Sequence, residues 1–121
     1  MIKGYHQLIV WQKADELAHR VFDLTEGFPK EYSYDLVNQL RRAALSIPTN
    51  IAEGCATLHN KELIQFLNIA RRSQSETRYL LEFALRRNLM NSDVIIGSCD
   101  EIGKMLNSLI ASLRRSGPLG H

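Results

Sequence analysis

Residues 60–87 read NKELIQFLNIARRSQSETRYLLEFALRR, and the spacing inside this stretch decides the fold. On a wheel of ~100° per residue, Leu63, Leu67, Ala70, Leu81, Ala84 and Leu85 make one apolar stripe. Phe66, Ile69, Leu80 and Phe83 make a second stripe beside it. This is the period of an α-helix, and no Gly or Pro interrupts it. At ~1.5 Å per residue the helix runs roughly 40 Å, the longest element of the chain, and Asn88 marks its end. Together the stripes cover roughly half the circumference, where a helix facing one core needs ~100°. Two placements absorb the excess. The second stripe packs against another copy of the chain, as large exposed apolar patches do, or the helix is central and buries both stripes at home. The sequence favours the first, with Phe66, Ile69, Leu80 and Phe83 as the oligomer interface.

The opposite face carries Arg71, Ser75, Arg78, Glu82 and Arg86. Arg78 with Glu82 and Glu82 with Arg86 are four-residue pairs, which suit a solvated, charge-paired surface. The same arginines can also form a phosphate-facing ladder, because guanidinium binds phosphate as a bidentate fork. In a single copy the solvated surface is the plainer reading. In a ring, symmetry repeats the arginines and concentrates their field, and the two readings weigh equally.

Outward from this helix the pattern repeats. A first helix spans about Val10 to Glu26 on Trp11, Ala14, Leu17, Ala18, Val21 and Leu24, and Gly27 and Pro29 stop it. A second begins between Glu31 and Asp35 and ends near Gly54 or Cys55. Its stripe is Leu36, Leu40, Ala43, Ile47, Ile51 and Cys55. Pro48 sits inside that stripe and lacks a backbone donor, which predicts a kink or break, with Thr49 and Asn50 placed to cap a restarted turn. A last helix follows Asn91, with Ser92 as N-cap and Asp93 in the first turn. It carries Ile95, Cys99, Ile102, Leu106, Leu109 and Leu113 and ends at Arg114 and Arg115. No run alternates like a strand. Four amphipathic helices with short links predict an all-α, antiparallel up-down four-helix bundle over residues 1–115, helix two kinked at Pro48, with a flexible tail over 116–121.

The chain has 121 residues, enough for one domain with a real core, and 45% apolar with 23% charged residues is a globular balance. The net charge of +2 does not by itself require a nucleic-acid partner. Arrangement says more. Ten of the fifteen bases are Arg, and eight of those stand in the pairs Arg41–Arg42, Arg71–Arg72, Arg86–Arg87 and Arg114–Arg115. Two cysteines, Cys55 and Cys99, make no disulfide framework and suit reduced thiols in a cytoplasmic protein. No stretch reaches the ~20 apolar residues of a membrane helix, and the N-terminus lacks a signal-peptide pattern.

Motifs of catalysis do not appear: no Gly-rich phosphate loop, no nucleophile elbow, no zincin pair. His19 between Asp15 and Asp23 reads as a surface charge cluster rather than a metal site. Asn50 and Glu53 read as a buried polar pair of helix two that meets Ser73 and Thr77 across the bundle, since buried polar groups need partners. That cluster is expected to be structural. The reading is therefore of a chain that is not an enzyme and takes no cofactor, no metal and no small-molecule substrate.

Particular strings add a resemblance. Val10–Trp11–Gln12–Lys13–Ala14, Phe28–Pro29, QLRRAALSIPTNIAEG from Gln39 to Gly54, Phe66–Leu67–Asn68–Ile69–Ala70, and KMLNSLIASLR from Lys104 to Arg114 together span nearly the whole chain. With Ser73 and Glu76, they resemble the family called four helix bundle protein, also known as the intervening-sequence protein of 23S ribosomal RNA genes. The resemblance implies a left-handed four-helix bundle assembling as a homopentamer. It also implies kinship with the accessory variability determinant of diversity-generating retroelements, a basic pentameric barrel without catalytic activity that binds its reverse transcriptase and nucleic acid. One departure stands out. Where the family usually reads Ala-x-Gly-Ser-x-x-Glu-Leu, this chain has Arg72 for the Gly and Thr77 for the Leu. Arg72 adds charge to the long helix and removes a close-packing Gly. The expectation is a non-catalytic oligomeric scaffold whose Arg41, Arg42, Arg71, Arg72, Arg78 and Arg86 bind RNA or DNA, with a reverse transcriptase as a further partner. The alternative is a protein-interaction module whose arginines only solubilise it.

Overall fold

The computed structural model describes residues 4–116, which form four long helices and no strand among them. Helix α1 spans Ile9–Glu26, α2 Asn38–Cys55, α3 Asn60–Arg86 and α4 Val94–Ser116. Each helix packs on its neighbours in sequence, and α1 meets α4 to close the ring. Contacts pair the helices in opposite numerical order. Along α2 and α3, Gly54 lies on Leu63 and Phe66, Ser46 bonds Ser73, and Gln39 bonds Glu76. Along α1 and α4, Lys13 pairs with Glu101 and Arg20 with Ser98.

The apolar stripes of the four helices meet on the inside. Leu17, Leu40, Ile47, Ile51, Leu67, Leu81, Ile102 and Leu106 are fully buried, and burying such side chains drives the assembly at about 1.5–3 kcal/mol each. Two glycines let helices approach closely. A Cβ at Gly54 would stand 2.9 Å from Cβ of Phe66, and one at Gly103 would stand 2.8 Å from the amide of Gln74.

Helix ends follow local chemistry. After Arg86 the chain turns through Asn88 at φ 62, and Leu89 N–H donates to Ala84 O at 2.9 Å, closing a left-handed cap. Asp93 O accepts from the N–H groups of Ile96 and Gly97 at 3.0 and 3.2 Å, so Asp93 rather than Ser92 stands at the N-cap of α4, and Ser92 Oγ, one residue earlier, accepts from Val94 N–H at 3.2 Å. The start of α2 differs from the sequence reading. Residues Lys30–Tyr32 form a 3₁₀ turn and Ser33–Val37 a π-helical turn before α2 begins at Asn38. Nor does Pro48 break the helix: α2 runs through it, with Pro48 buried. Thr49 and Asn50 do not cap a new turn. Their side chains donate backwards to the carbonyls of Leu45 and Ser46, both at 2.8 Å, supporting the turn around the missing donor. Of the expected tail, Ser116 is the last residue of α4, and 117–121 lie outside the described residues.

Candidate nucleic-acid interface

The six arginines divide by what already holds them. Arg41 is half-buried and committed to α1: Nε donates to Thr25 Oγ1 at 2.8 Å, Nη2 donates to Phe22 O at 3.1 Å, and the guanidinium lies 4.8 Å from the Phe22 ring centre. Arg78 is committed to α4, with Nε on Asp100 Oδ1 at 2.8 Å and Nη1 3.6 Å from Glu82. The hydrogen bond to Asp100 pushes its pKa further up. Both therefore act as internal ties, a correction to their reading as phosphate contacts. Thr25 and Phe22 for Arg41, and Asp100 and Glu82 for Arg78, compete with any external anion.

Arg42, Arg71, Arg72 and Arg86 are exposed on α2 and α3. Arg71 meets only the amide oxygen of Asn68 at 3.4 Å. Arg42, Arg72 and Arg86 have no hydrogen-bond or ion-pair partner among the described residues. The expected Glu82–Arg86 pair does not form; Glu82 turns to Arg78 instead.

Arg42 also lines an open groove of about 740 Å³ between α2 and α3. Tyr34 and Asp35 from the π-helical turn stand at one end, Asn38 and Gln39 come next, and Ser46 with Ser73 close the other. Glu76 forms the α3 wall, where its Oε2 accepts from Gln39 Nε2 at 3.3 Å. Tyr34 is 89% exposed. Sequence reasoning missed this groove, because a π-helical turn has no periodic signature and Tyr34 belongs to no stripe.

The second stripe of α3 splits. Leu80 is buried in the core of its own copy, so it cannot serve as an oligomer contact as read from the sequence. Phe66 and Ile69 are half-buried, Phe66 against the Gly54 backbone. Phe83 is exposed, and beside it stands Tyr79, 56% exposed, with ring centres 6.4 Å apart. The exposed large apolar side chains of α3 are thus Tyr79 and Phe83, with Phe66 and Ile69 partly open to solvent.

The polar cluster also changes membership. Ser46 Oγ and Ser73 Oγ share a hydrogen bond of 2.8 Å, and Asn50 Nδ2 donates to Ser46 Oγ at 2.9 Å. Glu53 is exposed and takes no part, which corrects the buried pair. Thr77 is fully buried but donates to Ser73 O of its own helix at 2.8 Å. The missing link was Ser46, one helical turn before Asn50. A second buried polar joint went unread: Gln74 Nε2 donates to Cys99 O at 2.9 Å, and Cys99 Sγ donates back to Gln74 O at 3.5 Å. Burial pushes the Cys99 thiol up to about 11 and raises Cys55 as well, and both are free thiols.

Among the described residues no three potential ligands come together to hold a metal ion; His19 pairs with Asp15 at 3.6 Å on the surface. Nor is any described helix long and apolar enough to cross a membrane.

Comparison with known proteins bears on this arrangement. No curated protein matches the chain. A solved structure from Bacteroides thetaiotaomicron, described as a protein of unknown function from the S23 ribosomal protein family, is similar at 30% identity with a TM-score of 0.79, over 85% of this chain and 96% of that one. The 23S rRNA-intervening sequence protein family matches over residues 6–108. With the four-helix ring, the QLRRAALSIPTNIAEG helix and this match over most of its length, the chain belongs to the 23S rRNA-intervening sequence protein family.

Proposed function

We propose that the chain is a non-catalytic, self-associating scaffold of the cytoplasm that binds nucleic acid through exposed arginines of α2 and α3. A homopentamer is the proposed assembly, and a reverse transcriptase a proposed further partner. The observation that carries this reading is the set Arg42, Arg72 and Arg86: exposed guanidinium groups with no partner among the described residues, joined by the weakly held Arg71. Phosphate is the ligand for which such free forks are best shaped. Tyr79 and Phe83 supply the apolar contact for self-association, which would multiply the arginine field around the assembly.

The test is the salt dependence of binding to a fluorescein-labelled single-stranded RNA and to a DNA duplex. If phosphates are contacted, log affinity falls linearly with log salt, with a slope of roughly −0.7 per contact on single strands and −0.9 on duplex. Each of Arg42→Ala, Arg71→Ala, Arg72→Ala and Arg86→Ala should flatten the slope by about one contact. Arg41→Ala should leave it unchanged, since that side chain is spent inside the fold. A flat salt response removes the reading. The exposed Tyr79–Phe83 pair favours a second reading, a protein-interaction module without nucleic acid. That reading expects partner binding to survive all four Arg→Ala changes.

A further inference from the structure

Resting on the nucleic-acid reading above, we infer that the groove between α2 and α3 is a binding site for an unpaired nucleotide, so that the chain selects single-stranded over double-stranded nucleic acid. The groove offers the three kinds of group such a ligand needs, laid out on successive turns of one helix. Tyr34 presents a phenol ring that is 89% exposed, from a π-helical turn that interrupts the regular geometry; such turns recur at functional sites. A ring left in water without packing is a poor contribution to stability but a ready stacking surface for a base. One turn on, the amide of Asn38 has no hydrogen-bond partner among the described residues and that of Gln39 is held by Glu76 at 3.3 Å. Amides and carboxylates are the groups that pair with base edges. A further turn on, Arg42 holds an unpartnered guanidinium suited to the phosphate.

Charge orients the ligand. Asp35 lies at the Tyr34 end and Glu76 faces Gln39 in the middle, so both would repel a phosphate from that part of the groove, while Arg42 lies towards the Ser46–Ser73 end. The base therefore sits over Tyr34 with its edge on the amides, and its phosphate on Arg42. The volume, about 740 Å³, falls within the roughly 300–1,000 Å³ of small-ligand clefts, but the lining is polar where those clefts are mostly apolar, which suits a segment of polymer with polar edges. Duplex bases have both faces stacked and their pairing edges occupied, so they cannot use Tyr34 or the amides.

The test measures binding of fluorescein-labelled oligoadenylate, oligouridylate and a duplex of equal length to the full chain. Single strands should bind at least about tenfold tighter than duplex. Tyr34→Ala should lower single-strand affinity roughly five- to hundredfold and leave duplex affinity unchanged. Tyr34→Phe, which keeps the ring face, should retain most of it. Arg42→Ala should weaken both ligands and flatten the salt slope by about one contact. Because Tyr34 is so exposed, its variants should keep their helix content and melting temperature, and circular dichroism checks this. Equal binding of single strand and duplex, with Tyr34→Ala silent, overturns the inference while leaving the arginine reading intact; binding to neither overturns both. Mass in solution is measured alongside. If Tyr34→Ala shrinks the assembly and loses single-strand binding together, a second copy covers the groove and the inference falls.

Discussion

Arg41 donates into α1 through Thr25 and Phe22, whereas Arg42, one residue on, faces the groove with no partner among the described residues. A step of ~100° around the helix separates a structural tie from a candidate ligand contact. A string of two arginines shows that charge is present, but which one the neighbouring helix claims depends on tertiary packing. Cys99 makes the same point about burial. Its thiol, pushed up to about 11 mainly by loss of water around it, stays neutral in the folded chain where an unfolded thiol would ionise near 9.0. A raised folded value means that this share of stability is whole below pH 9 and is lost as pH rises towards 11. Denaturant unfolding measured across that window should therefore show a fall that Cys99→Ala reduces, with Cys55, raised in the same direction, supplying a remainder. Below pH 9 iodoacetamide should reach half-buried Cys55 before Cys99, and Cys99 should react only as the chain unfolds.

At the scale of elements, α2 and α3 share the seam most dependent on small residues. Gly54→Ala would press its new methyl to 2.9 Å from Phe66 Cβ and 3.0 Å from Leu63 Cδ1. Leu63 Cδ1 can turn aside but Phe66 Cβ is fixed to its backbone, so thermal melting should register a loss of about 1–3 kcal/mol. The helices themselves were legible in the sequence: α1, α3 and α4 begin and end within a residue or two of where periodicity, Gly27, Asn88 and Ser92 place them. Their inward stripes were legible too, except that Leu80 joined the core. Hydrophobic spacing reports which residues prefer burial but not which neighbour buries them, and α3, packed on both α2 and α4, has a wider inner face than one core requires. The region ahead of α2 was illegible for a different reason. A π-helical turn arises from packing of Leu36 and Val37 into the core and leaves no repeat to read. Pro48 reads as a kink or break because propensity penalises it, yet α2 continues through it to Cys55, where burial and the backward bonds of Thr49 and Asn50 offset the lost donor.

For the whole molecule, the proposed self-association makes a prediction about one surface. Tyr79 and Phe83 form the exposed aromatic pair on α3, and truncating both to Ala should lower the mass found by light scattering while barely changing the melting temperature of the subunit. An unchanged mass would move the contact elsewhere, to faces such as that bearing Leu45, which is 50% exposed. Any such assembly relies on subunits of one fixed shape, and the joint of Gln74, Cys99 and Gly103 supplies it. The Gln74 amide occupies a hollow that exists only because residue 103 lacks a side chain. Were α4 to slip by a single position, Ile102 or Lys104 would meet that amide and strand its polar atoms in oil. The joint works as an indexing pin: of the many ways greasy rods can slide past one another, it admits one, and every folded copy is cut to the same pattern.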